Sequence, residues 1–178
     1  MRVITGSARG MALRTLEGND VRPTTDKVKE ALFSAIQFEI EGRRILDLFA
    51  GSGQLGIEAL SRGAESAVFV DADKNAVKII KENLAKTKLD FKATVAQTDS
   101  IAFITMTDRI FDIAFLDPPY ETGLLQKALS KISDNIAEGG MVICEHPFKE
   151  ELAEEYGDLR KSKEYKYSKV AVTVYRKS

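Results

Sequence analysis

Five short apolar runs recur along the chain: Ile45–Phe49, Ala67–Val70, Phe91–Ala96, Phe111–Leu116 and Met141–Cys144, with a sixth at Val170–Tyr175. Nothing else in the sequence constrains the fold as tightly. The first five are continuous rather than alternating, and rich in Val, Ile, Leu and Phe, as expected of strands covered on both faces. Between them lie the segments GQLGIEALSRG, DKNAVKIIKENLAKTK, SIAFITMT and TGLLQKALSKISDNI. In the second, Ala76, Val77, Ile80 and Leu84 recur at helical spacing, with the lysines and Glu82 turned away. Alternating β and α elements imply an α/β fold, a mostly parallel, doubly wound sheet with right-handed crossovers.

The chain has 178 residues, which suits one compact domain with a small extension. Residues 1–22 read differently from the rest. Their short alternating runs around Ser7-Ala-Arg-Gly10 predict a hairpin or extended arm, so the expected division is 1–22 and 23–178. Thr24, Thr25 and Asp26 offer caps for a helix through KVKEALFSAIQFEI, with Val28, Leu32, Ala35 and Ile36 as its apolar face. The 26 basic and 27 acidic residues give a net charge of -1, so any nucleic-acid contact needs a local patch. A single cysteine, Cys144, reads as a core residue, and a single histidine, His146, reads as a loop residue. They leave no disulfide and no zinc site, and no metal is expected. No apolar stretch has the length of a signal peptide core or a membrane span, so a soluble cytoplasmic protein is the expectation.

The first strand runs into Ala50-Gly-Ser-Gly-Gln-Leu-Gly56, a G-x-G-x-x-G match at a strand-to-helix turn. Glycines there let the backbone approach a ligand beside a helix N-terminus, for a dinucleotide or for S-adenosylmethionine. Asp47, within that strand, would repel a pyrophosphate and tolerate the cationic methionine part of S-adenosylmethionine. Asp71 ends the second strand 20 residues after Gly51, where a carboxylate accepts from ribose hydroxyls of either ligand. With Ala50, Gly51, Gly53 and Ala72 it makes up the expected cofactor site. Asp73 is expected to cap the next helix. Asp99 is placed either to accept from an adenine amino group or to cap the helix after it.

The fourth run ends in Asp117-Pro118-Pro119-Tyr120. Proline removes an N–H and pushes the residue before it away from helix, so the segment is extended and presents acceptors. A carboxylate beside a carbonyl suits a substrate with two N–H donors, an exocyclic amino group. Asp117 and the Pro118 carbonyl would aim that nitrogen's lone pair at a methyl donor. Tyr120 offers a face on which a flipped base stacks, worth roughly 1–3 kcal/mol.

DLFAGSGQLGIEALSRGA followed by FLDPPY resembles the class I S-adenosylmethionine-dependent amino-methyltransferases, and RVITGSARGMAL with VRPTTDKVKEALFSAI is similar to the RsmD-type bacterial 16S rRNA guanine-N2-methyltransferases. The resemblance spans Arg2 to about Tyr120 and is looser afterwards. It implies a Rossmann-like domain with an antiparallel C-terminal strand and an N-terminal β-hairpin that binds RNA. It also implies a substrate guanine at position 966 of 16S rRNA, in the assembled small ribosomal subunit, and a protein acting as a monomer. By the same resemblance Asp47, Gly51, Gly53 and Asp71 meet the cofactor, Asp99 its adenine, and Asp117–Tyr120 the target amine. Met11 stands where a basic residue is common in that family.

Arg2, Arg9, Arg14 and Arg22, with Thr24 and Thr25, are the candidate RNA contacts. The lysine-rich stretch from Arg160 reads as an edge strand protected from pairing. Three rivals remain at this level: an adenine methyltransferase acting on DNA, a nucleotide-dependent oxidoreductase, and a non-catalytic RNA-binding factor.

Overall fold

The structure is a computed structural model and describes residues 1–17 and 26–178. The chain forms α1 (Asp26–Ala35), β1 (Arg44–Asp47), α2 (Gln54–Ser61), β2 (Ser66–Asp71), α3 (Lys74–Thr87), β3 (Ala93–Gln97), α4 (Ser100–Met106), β4 (Phe111–Leu116) and α5 (Leu124–Ile132). Four strands follow: β5 (Ile136–Pro147), β6 (Glu155–Tyr156), β7 (Leu159–Tyr167) and β8 (Val170–Lys177). They build one sheet of order β3-β2-β1-β4-β5-β8-β7-β6. β1 to β5 run parallel, and β8, β7 and β6 continue the sheet antiparallel.

Alternate residues of the central strands feed two cores, which explains their continuous apolar composition. Ile45, Phe69, Phe115 and Ile143 pack under α1, α2 and α3. Leu46, Val70, Leu116 and Cys144 pack under α4 and α5. The parallel connection reverses direction between β1 and β4, and open α/β sheets bind ligands at such a switch point, outside the strand C-termini. Gly56 fixes the spacing of α2 from the sheet, since a Cβ there would lie 2.3 Å from the Phe69 ring.

Several expectations need correction. The third strand begins at Ala93, because Asp90–Lys92 forms a 3-10 turn and Phe91 is 78% exposed. Pairing with β2 starts at Ala67↔Ala93, so earlier residues have no partner strand to join. α1 ends at Ala35, which is exposed, and Phe33 is buried instead. The chain turns there, and Ile36 and Ile40 reach the core from outside the helix. His146 is a buried strand residue rather than a loop residue, its Nε2 2.7 Å from Thr173 Oγ1. The C-terminus adds three antiparallel strands rather than one. β7 is the lysine-rich stretch expected to form a strand, and it pairs with β8 from Leu159 to Tyr167. The two-residue β6 pairs only with Leu159 and Arg160, so the rest of the lysine-rich strand lies at the sheet edge, as expected.

The N-terminal segment has hairpin pairing, with an antiparallel bridge Arg2↔Ala12 and bonds from Val3 N to Met11 O (3.0 Å) and Gly10 N to Val3 O (2.8 Å). It is docked on α2, with Val3, Ala8 and Leu13 buried. Gly6 meets the end of α2 so closely that a Cβ would lie 1.8 Å from Ser61 O. The neighbouring Ser7 N donates to that same carbonyl at 2.8 Å. The expected boundary between residues 22 and 23 lies outside the described residues. Among the described residues, no helix is long and apolar enough to cross a membrane.

Candidate active site

A cavity of about 710 Å³ opens at the C-terminal ends of the parallel strands, a size that suits a cofactor-sized ligand. Its floor is the strand-to-helix turn after β1. Gly51 (φ +58) and Gly53 (φ +82) take left-handed conformations there that side chains rarely adopt. The two glycines differ in position. Gly51 lines the cavity with Ala50, and its missing side chain leaves room up to Leu16. Gly53 caps the start of α2, and a Cβ there would face Ile57 and Ile80 in the core. It shapes the turn without lining the cavity.

Four carboxylates follow one another across the sheet, each at the end of a strand or just beyond it: Asp99 after β3, Asp71 on β2, Asp47 on β1 and Asp117 after β4. All four line the cavity. Asp47 is buried, and its Oδ2 accepts from Gly56 N in the first turns of α2 at 3.0 Å. Burial pushes its carboxyl up to about 7, against the pull of the Gly56 N–H, and the charge of Asp71 adds to the rise. Asp71 accepts from Gly51 N and from Asp73 N, both at 2.9 Å, which aims the carboxylate at the glycine turn. Burial raises its carboxyl too, and these two amides oppose the rise. Each carboxylate oxygen has a second lone pair available to a ligand hydroxyl. Ala72 also lines the wall, and Asp73 caps α3 through Asn75 N, as expected. Asp99 caps α4 through Ala102 N at 2.9 Å and also borders the cavity.

Asp117, Pro118, Pro119 and Tyr120 follow β4, the strand beside β1, and line the same cavity. Their loop closes on itself where the Thr122 hydroxyl donates to the Pro119 carbonyl at 2.9 Å. That closure leaves the Pro118 carbonyl outside it. Glu121 (φ +60) and Gly123 (φ +74) complete the turn into α5.

Of the candidate RNA contacts, Arg22, Thr24 and Thr25 lie outside the described residues. Arg2, Arg9 and Arg14 lie on the docked N-terminal segment rather than in the cavity. Arg2 donates to Gly10 O at 2.9 Å, and Arg14 pairs with Glu82 of α3. Met1, Thr15 and Leu16 of this segment reach the cavity mouth.

Two buried amides were not anticipated. Asn83 on α3 accepts from Arg14 N and donates to Arg14 O and Ser52 O, each at 2.9 Å. It thereby ties the N-terminal segment to the glycine turn. The signal was available, since a polar residue sits on the buried stripe of Ala76, Ile80 and Thr87. Gln54, the first residue of α2, lines the cavity and was passed over as a variable position inside the glycine motif. Among the described residues, no group of three or more His, Cys, Asp or Glu is placed to hold a metal ion.

The family described as Conserved hypothetical protein 95 matches residues 1–176. The chain is 42% identical to YlbH of Bacillus subtilis, provisionally named an rRNA methyltransferase, over 99% of each chain. It is 39% identical to the ribosomal RNA small subunit methyltransferase D of Haemophilus influenzae, over 76% of this chain and 72% of that protein. A solved structure from Escherichia coli, yhhF, provisionally named a methyltransferase, superposes with a TM-score of 0.87 at 31% identity, covering 100% of this chain and 98% of its own.

Proposed function

The chain belongs to the family described as Conserved hypothetical protein 95, among RsmD-like methyltransferases of ribosomal RNA, and from that membership we propose that it methylates the exocyclic N2 of one guanine in 16S rRNA, with S-adenosylmethionine as methyl donor. The observation that carries this reading is the row of carboxylates around one cavity. The cavity residues fit the cofactor: Asp71 for the ribose diol, Asp99 beside the adenine, and Asp47 for a cationic amino-acid end. When bound, S-adenosylmethionine supplies an electrophilic methyl group.

The chain's own residues do the rest. A guanine N2 carries two N–H donors and a lone pair delocalised into the ring. Asp117 and the Pro118 carbonyl accept those hydrogens and orient the lone pair towards the glycine-turn side of the cavity. Tyr120 gives the flipped base a stacking surface. The carboxylate stabilises the positive charge that develops on the nitrogen, and the surplus proton leaves once that charge has formed. The substrate is guanine 966 in the assembled small subunit, and Arg2, Arg9 and Arg14 with Arg22, Thr24 and Thr25 guide the RNA. The Arg14–Glu82 pair is solvent-exposed, so exchanging Glu82 for a phosphate costs little, about 0–1 kcal/mol.

The test is methyl transfer from labelled S-adenosylmethionine to 30S particles that lack the modification, with naked 16S rRNA and duplex DNA alongside. Label in a single guanine of the particle is the expected result. Label confined to DNA adenine would replace this reading with its DNA-directed rival.

Asp47 predicts how cofactor binding depends on pH. Its folded pKa, about 7, is raised above the ordinary carboxylate value, so in the ligand-free protein the group is protonated below pH 7. An α-ammonium group, which S-adenosylmethionine and S-adenosylhomocysteine share, needs the ionised form. S-adenosylhomocysteine affinity should therefore be level above pH 7 and weaken by up to about tenfold per pH unit below it. Affinity for 5′-methylthioadenosine, which lacks the amino-acid end, should change far less. Calorimetric titrations from pH 5.5 to 8.5 measure both, and parallel profiles would remove Asp47 from this role. The same shift acts on stability. A folded pKa raised above the unfolded one means the native state holds the extra proton between about pH 4 and 7, so this group's contribution falls as pH rises through that window.

A further inference from the structure

Gln54 carries a feature that the proposed reaction does not use. The residue is 8% exposed and lines the cavity, yet its Oε1 is buried with no hydrogen-bond partner. Buried amide oxygens are seldom left without a donor, because losing water's hydrogen bonds uncompensated is costly. The missing donor is therefore expected from whatever fills the cavity.

The place of Gln54 in the fold says which part of the ligand that is. Across the sheet, Asp99 and Asp71 stand on the β3–β2 side of the cavity and Asp117 on the β4 side. Gln54 opens α2 directly after β1, and the same helix holds Asp47 through Gly56 N. Gln54 and Asp47 thus approach the cavity between the nucleoside side and the side of the methyl acceptor. Apart from its adenine amino group, which belongs to the nucleoside side, S-adenosylmethionine carries N–H donors only on its α-ammonium, at the end of the third branch of the sulfonium. With three hydrogens it can serve two acceptors at once.

We propose that Gln54 is a cofactor-positioning residue whose Oε1 accepts from the α-ammonium group of S-adenosylmethionine, sharing it with Asp47. This rests on the reading of the cavity as an S-adenosylmethionine site. The neutral amide adds a directional acceptor without placing a second charge beside Asp47, and it fixes the amino-acid end so that the sulfonium is held at one depth. Gln54→Met keeps the length of the side chain and removes the acceptor. Gln54→Glu keeps an acceptor and adds charge.

The experiment is calorimetric titration of wild type, Gln54→Met and Gln54→Glu at pH 8 with S-adenosylhomocysteine and with 5′-methylthioadenosine, with thermal unfolding of each variant as a folding control. Gln54→Met should bind S-adenosylhomocysteine about tenfold or more weakly and 5′-methylthioadenosine within about twofold of wild type. Gln54→Glu should recover S-adenosylhomocysteine binding. Three results overturn the assignment: Gln54→Met binding S-adenosylhomocysteine like wild type, equal losses for both ligands, or Gln54→Glu binding as weakly as Gln54→Met. Wild-type protein that binds neither ligand would instead remove the cofactor reading on which the assignment stands.

Discussion

Asp117→Asn should lower methyl transfer to 30S particles by about 10²–10⁴-fold while S-adenosylhomocysteine affinity stays within about twofold of wild type. The substitution preserves shape and replaces an acceptor oxygen with an NH₂ donor. That donor would face the N–H bonds of the target amine, so the nucleophile loses its alignment and the developing positive charge loses its counter-charge. Asp117 takes no part in the Gly51–Asp71 or Gly56–Asp47 contacts, so cofactor binding should be spared. Single-turnover rates with saturating particle, paired with calorimetry, measure the two effects separately. A variant with near-normal turnover would sink the assignment of Asp117 as amine acceptor. One that has lost cofactor affinity as well would place Asp117 in the cofactor site instead.

The second large effect concerns stability. Glu58, on α2, is fully buried and accepts from four donors: Ile4 N at 2.8 Å, Thr5 N at 3.1 Å, Lys29 Nζ at 3.2 Å and Arg62 Nε at 3.0 Å. Lys29 is equally buried and also donates to Arg2 O at 3.0 Å. Burial lowers the Lys29 pKa and the Glu58 carboxylate works against it, with Asp26 adding less, so the ammonium depends chiefly on Glu58. Glu58→Gln should cost about 3–5 kcal/mol in urea unfolding at pH 7.5, because it leaves a buried cation uncompensated. The double variant Lys29→Met, Glu58→Gln should recover much of the loss, since the stranded charge is gone. Hydrogen exchange should quicken at the Ile4 and Thr5 amides in the single variant. A loss below about 1 kcal/mol would mean that water or a shift in protonation relieves Lys29.

The buried hub has a consequence for function. The N-terminal segment that carries three of the candidate RNA contacts is pinned to the same short helix whose start faces the cofactor cavity. Asn83 adds a second tie between residue 14 and Ser52 of the glycine turn. The segment bearing the candidate RNA contacts and the glycine turn are therefore tied to the same pair of helices.

Much of this was legible in the residues. Continuous apolar runs with helix-periodic spacers specify a two-face-covered parallel sheet, because each strand residue must find apolar cover on whichever side the pleat turns it. The carboxylates Asp47, Asp71 and Asp117 were legible for a related reason: a charge closing an apolar run must lie at a strand end, where the ligands of such sheets bind. Where local pattern and partner availability disagreed, the pattern misled. Phe91 has strand propensity but no neighbouring strand to pair with. His146 reads as a loop residue before proline, yet pairing with β8 carries β5 through it.

By itself, then, the sequence determined the layer order, the position of the site along the chain and the chemistry of its acidic residues, since those follow from side-chain type and period. Only the tertiary structure decided that the N-terminal segment docks through a buried glutamate, that Gly53 faces the core while Gly51 faces the cavity, and that Gln54 lines the cavity with an unpaired amide oxygen. Each of those depends on which distant backbone groups are brought within hydrogen-bond or van der Waals reach, and no local pattern encodes that distance.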